Sequence, residues 1–390
     1  AVLAIWSFPF LLAPPIFSHD AYSYAAQGWL LNNNLNPYLV GPGILPGQFA
    51  DQVAWVWRDT PAPYGPLALR MNHWLIVLVG FDPYWSTVIM RLPALIGVGM
   101  IGWCVPRIAG RFGINPAAAS WFVLANPIVI IDFVGGAHND ALMMGLAMMG
   151  IWITTKWRTW WWGAVAVGMG AAIKQPAVFV AVALPFITHP WTSWRLRPLA
   201  SAAARALASL AISVAVFALL SVVTGLGFGW DVPGKVTSAS PFNLLGEAVE
   251  YLLNQVGIDQ GGKMAVTVMR SLGLLVCAIG IVWLALRHLG RRPLNFTGWG
   301  LLLSAFTLHS WYLRWGGVLF PMTRPNTRRL RIAIIISAVL LAYEAMVFAV
   351  RNGTWLVALL LIWAVWESVK AHELTQRWDA KAPQESLAGS

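Results

Sequence analysis

Long apolar runs dominate the chain, and short polar clusters separate them. Runs of about 15 to 25 apolar residues have the length of a helix that crosses a bilayer. Candidate spans lie at 1–17, 84–105, 116–134, 141–155, 160–173, 176–187, 201–224, 264–286, 298–308, 311–322, 331–349 and 354–369. The pattern predicts an all-α polytopic membrane domain over residues 1–370, with about twelve transmembrane helices, followed by a polar and partly disordered tail, 371–390.

One shorter apolar stretch, residues 67–80, is predicted not to cross. It carries an arginine, an asparagine and a histidine among its apolar residues. An interfacial helix in the plane of the outer leaflet suits that composition better than a span. The stretch then belongs to the first of two long outer loops, 18–83 and 225–263, of which the first is dense in Pro, Gly and Asn and hence in turns.

Composition agrees with a lipid environment, since 58% of the residues are hydrophobic and 11% are charged, against roughly 25% charged in soluble domains. The net charge of +11 comes from short basic clusters between apolar runs, which indicates topology signals rather than a nucleic-acid surface. Assigning loops alternately to two sides places 17 of the 26 Lys and Arg residues on one side. Cations favour the cytoplasm, so we expect that side to be cytoplasmic and the two long loops to face outward. If 67–80 did span, every later loop would invert.

The ends of the chain and its cysteines add two expectations. The opening run has no initiator Met and no charged residue before it, so we expect a chain truncated inside a first helix and no cleavable signal peptide. Cys104 and Cys277 lie within apolar runs, where reduced packing residues are expected rather than a disulfide or a metal site.

Candidate chemistry begins at Asp20, which follows the first apolar run with His19 before it and two tyrosines after it. The run fixes the depth of this carboxylate at the membrane edge. No second acid adjoins Asp20 in the sequence, so we expect it to act alone, and a bound divalent metal is not expected.

Three further clusters join Asp20 on the outer side under this topology. Gly135 to Asp140 joins two spans and offers His138, Asn139 and Asp140 at a helix start, either as ligand contacts or as simple helix caps. Asp132, just before it, is a further candidate or a protonated buried acid.

The second cluster is Lys174-Gln175-Pro176, and the third runs from His309 to Trp315. Lys174 is flanked by apolar runs and either binds an anion or snorkels to the interface. In the third cluster, Trp311 and Tyr312 either contact a ligand or form an aromatic belt, and Arg314 offers a second cation for a phosphate. No phosphate-binding loop, Rossmann glycine pattern or Cys/His metal spacing is present in the sequence. A donor carried on a lipid needs none of these, because the bilayer delivers it.

The order and spacing of these motifs resemble the polyprenol-phosphomannose-dependent α-1,6-mannosyltransferases of mycobacteria and corynebacteria, members of the GT-C superfamily of polytopic glycosyltransferases. The motifs are Ser18-His19-Asp20-Ala21-Tyr22-Ser23-Tyr24, Asn36-Pro37-Tyr38, Pro63-Tyr64-Gly65-Pro66, Gly135-Gly136-Ala137-His138-Asn139-Asp140, Lys174-Gln175-Pro176 and His309-Ser310-Trp311-Tyr312. The resemblance implies a GT-C helical bundle in the bacterial plasma membrane with an outward active site. It further implies a polyprenyl-phosphate-mannose donor and a mannan glycolipid acceptor of the lipomannan and lipoarabinomannan core.

An acidic catalytic residue in the first outer loop, typical of GT-C enzymes, corresponds to Asp20. An inverting single displacement needs one general base and groups that stabilise the departing phosphate, so Asp20 is predicted as the base. Lys174, His138 and Arg314 are predicted near the phosphate. Residues predicted to contact the sugar or acceptor are His19, Tyr64, Asn139, Asp140, Gln175, His309, Trp311 and Tyr312.

Two alternatives stay open at this point. Pocket shape decides which sugar is transferred, so another lipid-donor enzyme, an α-1,2-mannosyl or arabinosyl transferase, fits the same residues. A lipid or solute transporter with an outward polar cavity is the alternative of a different class, although few polar clusters lie at the midplane where transport sites form.

Overall fold

The computed structural model describes residues 2–229, 240–305, 309–349, 362, 363 and 366. The regular elements in this part of the chain are all helices, with no strand, which confirms the predicted all-α class. The helices up to the middle of the chain are α1 (Val2–Ser7), α2 (Asp20–Asn32), α3 (Gln48–Asp51), α4 (Trp55–Arg58), α5 (Pro66–Leu78), α6 (Pro83–Val88), α7 (Arg91–Arg111), α8 (Pro116–Leu124) and α9 (Asp140–Trp157). Those that follow are α10 (Trp160–Ala171), α11 (Val178–Thr188), α12 (Leu196–Val223), α13 (Pro241–Gln255), α14 (Asp259–Leu284), α15 (Pro293–Ala305), α16 (Ser310–Gly317) and α17 (Thr327–Ala349).

Shorter helical turns connect several of these elements. Val129–Gly135 and Ala285–Leu289 are π-helical, and Phe8–Phe10, Pro42–Ile44, Gln175–Ala177 and Phe320–Thr323 are 3₁₀ turns. The core of the bundle is a row of neighbouring helices in which α7 packs along α9, α9 along α10 and α10 along α12.

The expected number of membrane spans is not reproduced. Among the described residues, three helical segments are long and apolar enough to cross a membrane: Pro83–Arg111, Leu196–Val223 and Asp259–Leu289. A fourth arises only if Pro116–Leu124 and Val129–Gly135, which are bent by 59° relative to each other, count as one span. The count of about twelve is therefore wrong for this part of the chain.

Breaks within the apolar runs and short helices account for part of the difference. The predicted span 1–17 contains only the six-residue helix α1 and a 3₁₀ turn, because Pro9, Pro14 and Pro15 cannot continue a helix. The predicted span 311–322 is divided into α16 and a 3₁₀ turn. The predicted span 354–369, apart from three residues, and the tail 371–390 lie outside the described residues.

A helix, α5, is present where the interfacial helix is predicted, with 13 residues against the 14 expected. At 1.5 Å per residue it is about 20 Å long, shorter than the roughly 30 Å hydrocarbon core. It packs on α2 so closely that a Cβ atom at Gly28 would lie 2.9 Å from the carbonyl oxygen of Asn72. Residues 18–83 are therefore built around two packed helices, which the turn-rich sequence did not indicate.

The bundle has two chemically different ends, which α7 and α9 connect by running side by side in the same direction. At one end, Arg91 donates hydrogen bonds to the carbonyl oxygens of Val134 and Gly135 at 3.0 Å, just before α9 begins. At the other end, Arg111 donates to the carbonyl oxygen of Thr155 at 3.4 Å. We call the first the Asp140 end and the second the basic end. With 21 residues in α7, they lie about 30 Å apart.

Two glycines allow α7 and α9 to approach at backbone contact. A Cβ atom at Gly97 would lie 2.2 Å from the carbonyl carbon of Ala141, and one at Gly145 would lie 2.8 Å from the carbonyl oxygen of Gly97. Small residues at such crossings are what permits close helix packing in membrane proteins.

Replacing Gly97 by Ala is expected to separate α7 from α9 and to lower the unfolding temperature of the detergent-purified chain, because backbone atoms cannot move aside. Gly99→Ala is the matched control, since nothing lies within 4 Å of a Cβ there, and its helix propensity improves by about 1 kcal/mol. Equal melting temperatures for the two variants in a thermal unfolding assay would show that this crossing is not tight.

Candidate functional site

Asp20 is the first residue of α2, and three donors surround one of its carboxylate oxygens. The hydroxyls of Tyr24 and Tyr64 donate to Oδ2 at 3.4 Å, and Nδ1 of His138 lies 3.4 Å from the same atom. Among the described residues, no side chain donates a hydrogen bond to Oδ1. The Ser18 hydroxyl accepts from the Asp20 amide at 3.1 Å, which fixes the start of the helix. Asp20 is thus held by Oδ2 and has Oδ1 available for another molecule.

A second carboxylate, Asp140, lies on the other side of His138. Nδ1 of His138 is 4.0 Å from Asp140 Oδ2 as well as 3.4 Å from Asp20 Oδ2. Asp140 is the first residue of α9 and is completely buried. The prediction that no second acid adjoins Asp20 is therefore wrong, because the two residues are distant in sequence and the fold brings them to one imidazole.

Lys174 provides the cation that Asp140 requires. Its ammonium lies 3.0 Å from Asp140 Oδ1 and 2.9 Å from Oδ2, and the indole nitrogen of Trp315 donates to Oδ1 at 2.6 Å. The ammonium also lies 4.6 Å from the centre of the Tyr312 ring and 5.7 Å from that of Tyr64. Lys174 is only 8% exposed, whereas a lysine that snorkels keeps its ammonium in water.

The break between α10 and α11 places Lys174 there. Its backbone is extended, with φ −152° and ψ 125°, between the end of α10 and the turn Gln175–Ala177. The carbonyl oxygen of Ile173 accepts a hydrogen bond from the Gly65 amide at 3.0 Å, and the Gln175 side chain donates to the Pro63 carbonyl oxygen at 3.0 Å. The segment 63–65 is thereby fixed against the break that carries the lysine, and the Gln175 side chain serves that attachment.

An aromatic stack borders the same group. The Trp311 ring lies 4.1 Å from that of His138 and 4.5 Å from that of His309, and both pairs are stacked. Tyr312 packs edge-on against Trp315 at 4.5 Å. Trp311 and Trp315 are buried at 4% and 5% exposure, which differs from an aromatic belt at a membrane interface.

Asn139 is a buried residue at this end whose side-chain amide lacks hydrogen-bond partners among the described residues. It is 4% exposed, and neither its amide nitrogen nor its amide oxygen has a hydrogen-bond partner among the described residues. Its side chain does not cap α9. Buried polar atoms are nearly always bonded, so an incompletely bonded amide beside Asp140 is a candidate ligand contact.

Two predicted site residues lie elsewhere. Arg314 is buried on another face of α16, where its guanidinium donates to the Val123 carbonyl oxygen at 3.4 Å. The exposed His19 ring lies 2.8 Å from the carbonyl oxygen of Gln52 and does not contact the carboxylates. The expected roles of Arg314 at a phosphate and of His19 at the sugar therefore have no geometric support.

A second acidic pair, which sequence reasoning largely missed, holds the start of α16. The Ser310 amide donates to Glu344 Oε1 at 2.9 Å, and the Ser310 hydroxyl lies within hydrogen-bond distance of the carboxyl groups of both Asp132 and Glu344. His309 Nδ1 lies 3.6 Å from Glu344 Oε1. Glu344 is the only acid in the predicted span 331–349. An isolated acid in an apolar run was the sequence feature that could have identified it as a candidate. The pair fixes the residues from which the aromatic stack projects.

Electrostatics keep Asp20 ionised. Burial alone would raise the pKa of this carboxyl, but the hydrogen bond from His138 and the charges of His138, Lys174 and His309 together hold its pKa well below the usual 3.8. Burial raises the pKa of Tyr64 well above 10, with the Asp20 charge acting in the same direction, so its hydroxyl remains a donor. No group of three His, Cys, Asp or Glu side chains within the described residues could hold a metal ion.

Comparison with known proteins shows what the chain is similar to. Residues 1–193 match the family model described as alpha-(1->6)-mannopyranosyltransferase, N-terminal domain. The chain is 34% identical to alpha-(1->6)-mannopyranosyltransferase A of Mycobacterium tuberculosis over 81% of its own length and 63% of that protein. It is 32% identical to a probable alpha-(1->6)-mannopyranosyltransferase of Mycolicibacterium smegmatis, over 85% of its own length and 66% of that protein. It is 31% identical to alpha-(1->6)-mannopyranosyltransferase A of Corynebacterium glutamicum, over 79% of its own length and 66% of that protein.

The chain thus spans about two thirds of the length of the curated relatives it matches. No solved structure matches it.

The ion pair between Asp140 and Lys174 can be tested by a double-mutant cycle. Asp140→Asn is expected to destabilise the purified chain by roughly 3 to 5 kcal/mol, because an unpaired ammonium stays buried. Adding Lys174→Met should recover much of that loss, measured by thermal unfolding in detergent. Additive losses in the double variant would contradict a direct pair, since independent sites add.

Proposed function

Starting from its homology to the alpha-(1->6)-mannopyranosyltransferases, we propose that this chain transfers mannose from polyprenyl-phosphate-mannose to a mannan glycolipid, forming an α-1,6 linkage. The group formed by Asp20, His138, Asp140 and Lys174 is the observation that carries the proposal. It combines an ionised carboxylate with one free oxygen, a buried ammonium and an incompletely bonded amide within one end of the bundle.

Asp20 acts as the general base in this proposal. The acceptor 6-hydroxyl approaches Oδ1 and gives it a proton while its oxygen attacks the anomeric carbon of the donor. The bond between that carbon and the phosphate oxygen breaks on the opposite side, so that a β-linked donor gives an α-linked product. The hydroxyls of Tyr24 and Tyr64 and the His138 ring hold Oδ2, which orients the base before the substrate arrives.

Lys174 and Asn139 are the groups proposed to stabilise the departing lipid phosphate. An ammonium has three N–H bonds, and Asp140 accepts from Lys174 through both of its oxygens. One donor therefore remains for a phosphate oxygen, and the Asn139 amide supplies another. Asp140 keeps the lysine in place and prevents it from pairing with Asp20. Trp311, Tyr312 and Tyr64 present aromatic surface for the mannose ring.

The membrane arrangement is proposed to be multi-pass and of the GT-C type, with the Asp140 end facing outward. Three candidate spans and the position of the arginines at the opposite end support it, because basic residues favour the cytoplasmic side. The lipid donor then reaches Asp20 from the outer leaflet, and α5 lies along that leaflet.

Replacing Asp20 by Asn is expected to lower kcat by about 10² to 10⁴, because the general base is lost while size is retained. The assay is transfer of labelled mannose from polyprenyl-phosphate-mannose to a mannoside by the reconstituted full chain. Asp51→Asn is the matched control, since Asp51 lies in the same loop but is exposed and pairs with Arg58. Turnover near that of the control, in an Asp20 variant with unchanged melting temperature, would exclude Asp20 as the base.

The role of His138 predicts a change in the pH profile. Since His138 lowers the pKa of Asp20, the base stays ionised throughout the range from about pH 5 to pH 8, and kcat/KM of the wild type shows no acid limb from this carboxyl. His138→Gln removes the largest of the effects that lower this pKa, so the pKa rises and the acid limb of the profile moves to higher pH than in the wild type. His73→Gln, on α5 away from Asp20, is the control. A profile unchanged by His138→Gln would show that His138 does not set the ionisation of the base.

A further inference from the structure

A large basic cavity lies at the basic end of the bundle, far from Asp20. It has a volume of about 930 Å³. Its basic lining consists of Arg287, His288, Arg291, Arg292, Arg324 and Arg329. No acidic side chain lines it among the described residues, and none of these basic side chains takes part in an ion pair there. Within the part of the chain that the structure describes, five guanidinium groups around one space therefore lack a counter-charge.

The cavity is distinct from the proposed transfer site. Phe112, directly after α7, lies in its wall, and Arg324 donates a hydrogen bond to the Phe112 carbonyl oxygen at 2.6 Å. Arg91 at the start of α7 contacts the segment just before Asp140. The length of α7, about 30 Å, separates the two sites and equals the thickness of a hydrocarbon core.

Separate parts of the chain contribute the arginines. Arg287, Arg291 and Arg292 come from the connection between α14 and α15, whereas Arg324 and Arg329 come from the region where α17 begins. Arginine binds phosphate oxygens in a bidentate manner and is weakly hydrated. Converging arginines from two segments therefore suit a phosphate group bound between them.

The other half of the wall is apolar and continues onto an exposed helix face. Leu284, Trp299 and Leu303 line the cavity together with Trp283, which is 55% exposed. Only 11% of the apolar window of the candidate span Asp259–Leu289 is buried inside the protein, so this helix offers acyl chains a long surface. A tryptophan next to arginines, as at this cavity, is also typical of the depth in a membrane at which the lipid head groups lie.

From this geometry we infer that the cavity binds a phosphate-bearing anion, and that its source is an anionic phospholipid of the cytoplasmic leaflet. The arginines bind the phosphate, and the acyl chains lie along Trp283 and the outer face of α14. Basic pockets between membrane helices bind anionic head groups in this way. This inference does not depend on the sugar transferred at the other end.

Native mass spectrometry of the detergent-purified full chain tests the inference, with phosphatidylglycerol as the probe and phosphatidylcholine of the same acyl chains as the neutral comparison. The wild type should retain phosphatidylglycerol preferentially. Arg292→Gln combined with Arg329→Gln should weaken that binding about twenty-five-fold, since each basic residue near an anionic lipid contributes roughly a factor of five.

Arg195→Gln combined with Arg197→Gln is the matched control, because it removes the same charge from exposed arginines outside the cavity lining and should leave the binding unchanged. Equal loss in both double variants would overturn the site, as would equal retention of the two lipids by the wild type. An arm with inorganic phosphate distinguishes the source: if millimolar phosphate displaces phosphatidylglycerol completely, the lipid assignment is wrong.

Discussion

The buried ion pair between Asp140 and Lys174 constrains everything at its end of the bundle. Removing two charges from water costs several kcal/mol for each ion, which only close pairing and further hydrogen bonds offset. The pair has both, through two ammonium contacts and the indole of Trp315. The start of α9, the break after α10 and the face of α16 must therefore meet at one place. His138 precedes Asp140 by two residues, so the same constraint brings its ring to Asp20.

Much of the site could be predicted because its residues stand in polar clusters between apolar runs. His138, Asn139, Asp140 and Lys174 were found that way, and the fold brings them together. The predicted role of Arg314 at the phosphate lacks support for a geometric reason. Tyr312 and Trp315 are three positions apart and share a face of α16, whereas Arg314 is two positions from Tyr312 and faces away. Locating the start of α16 at Ser310 would have shown this, but the sequence does not mark that boundary clearly.

Of the architecture, only the all-α class could be predicted from the sequence, and the division of the apolar runs into helices could not. Hydropathy detects that a run is apolar, but it does not decide whether the run forms one straight helix or two short ones. Prolines break 1–17, and the run 116–134 bends by 59° between α8 and the π-helical segment that follows. The packing of α2 against α5 was missed for a different reason. It depends on Gly28 meeting the backbone of Asn72, a contact between residues 44 positions apart that no local pattern encodes.

The two ends of the bundle carry different charged groups. Asp20, Asp140 and Lys174 lie at the end where the transfer is proposed, and the arginines that lack acidic partners among the described residues lie at the opposite end. The most direct measurement uses the purified full chain in proteoliposomes, with polyprenyl-phosphate-mannose labelled with ¹³C at the anomeric carbon and a mannoside acceptor. Nuclear magnetic resonance should show the donor signal replaced by that of an α-linked carbon bonded to the acceptor 6-oxygen. Recovery of intact donor on the opposite side of the bilayer, with no new glycosidic bond, would contradict the account.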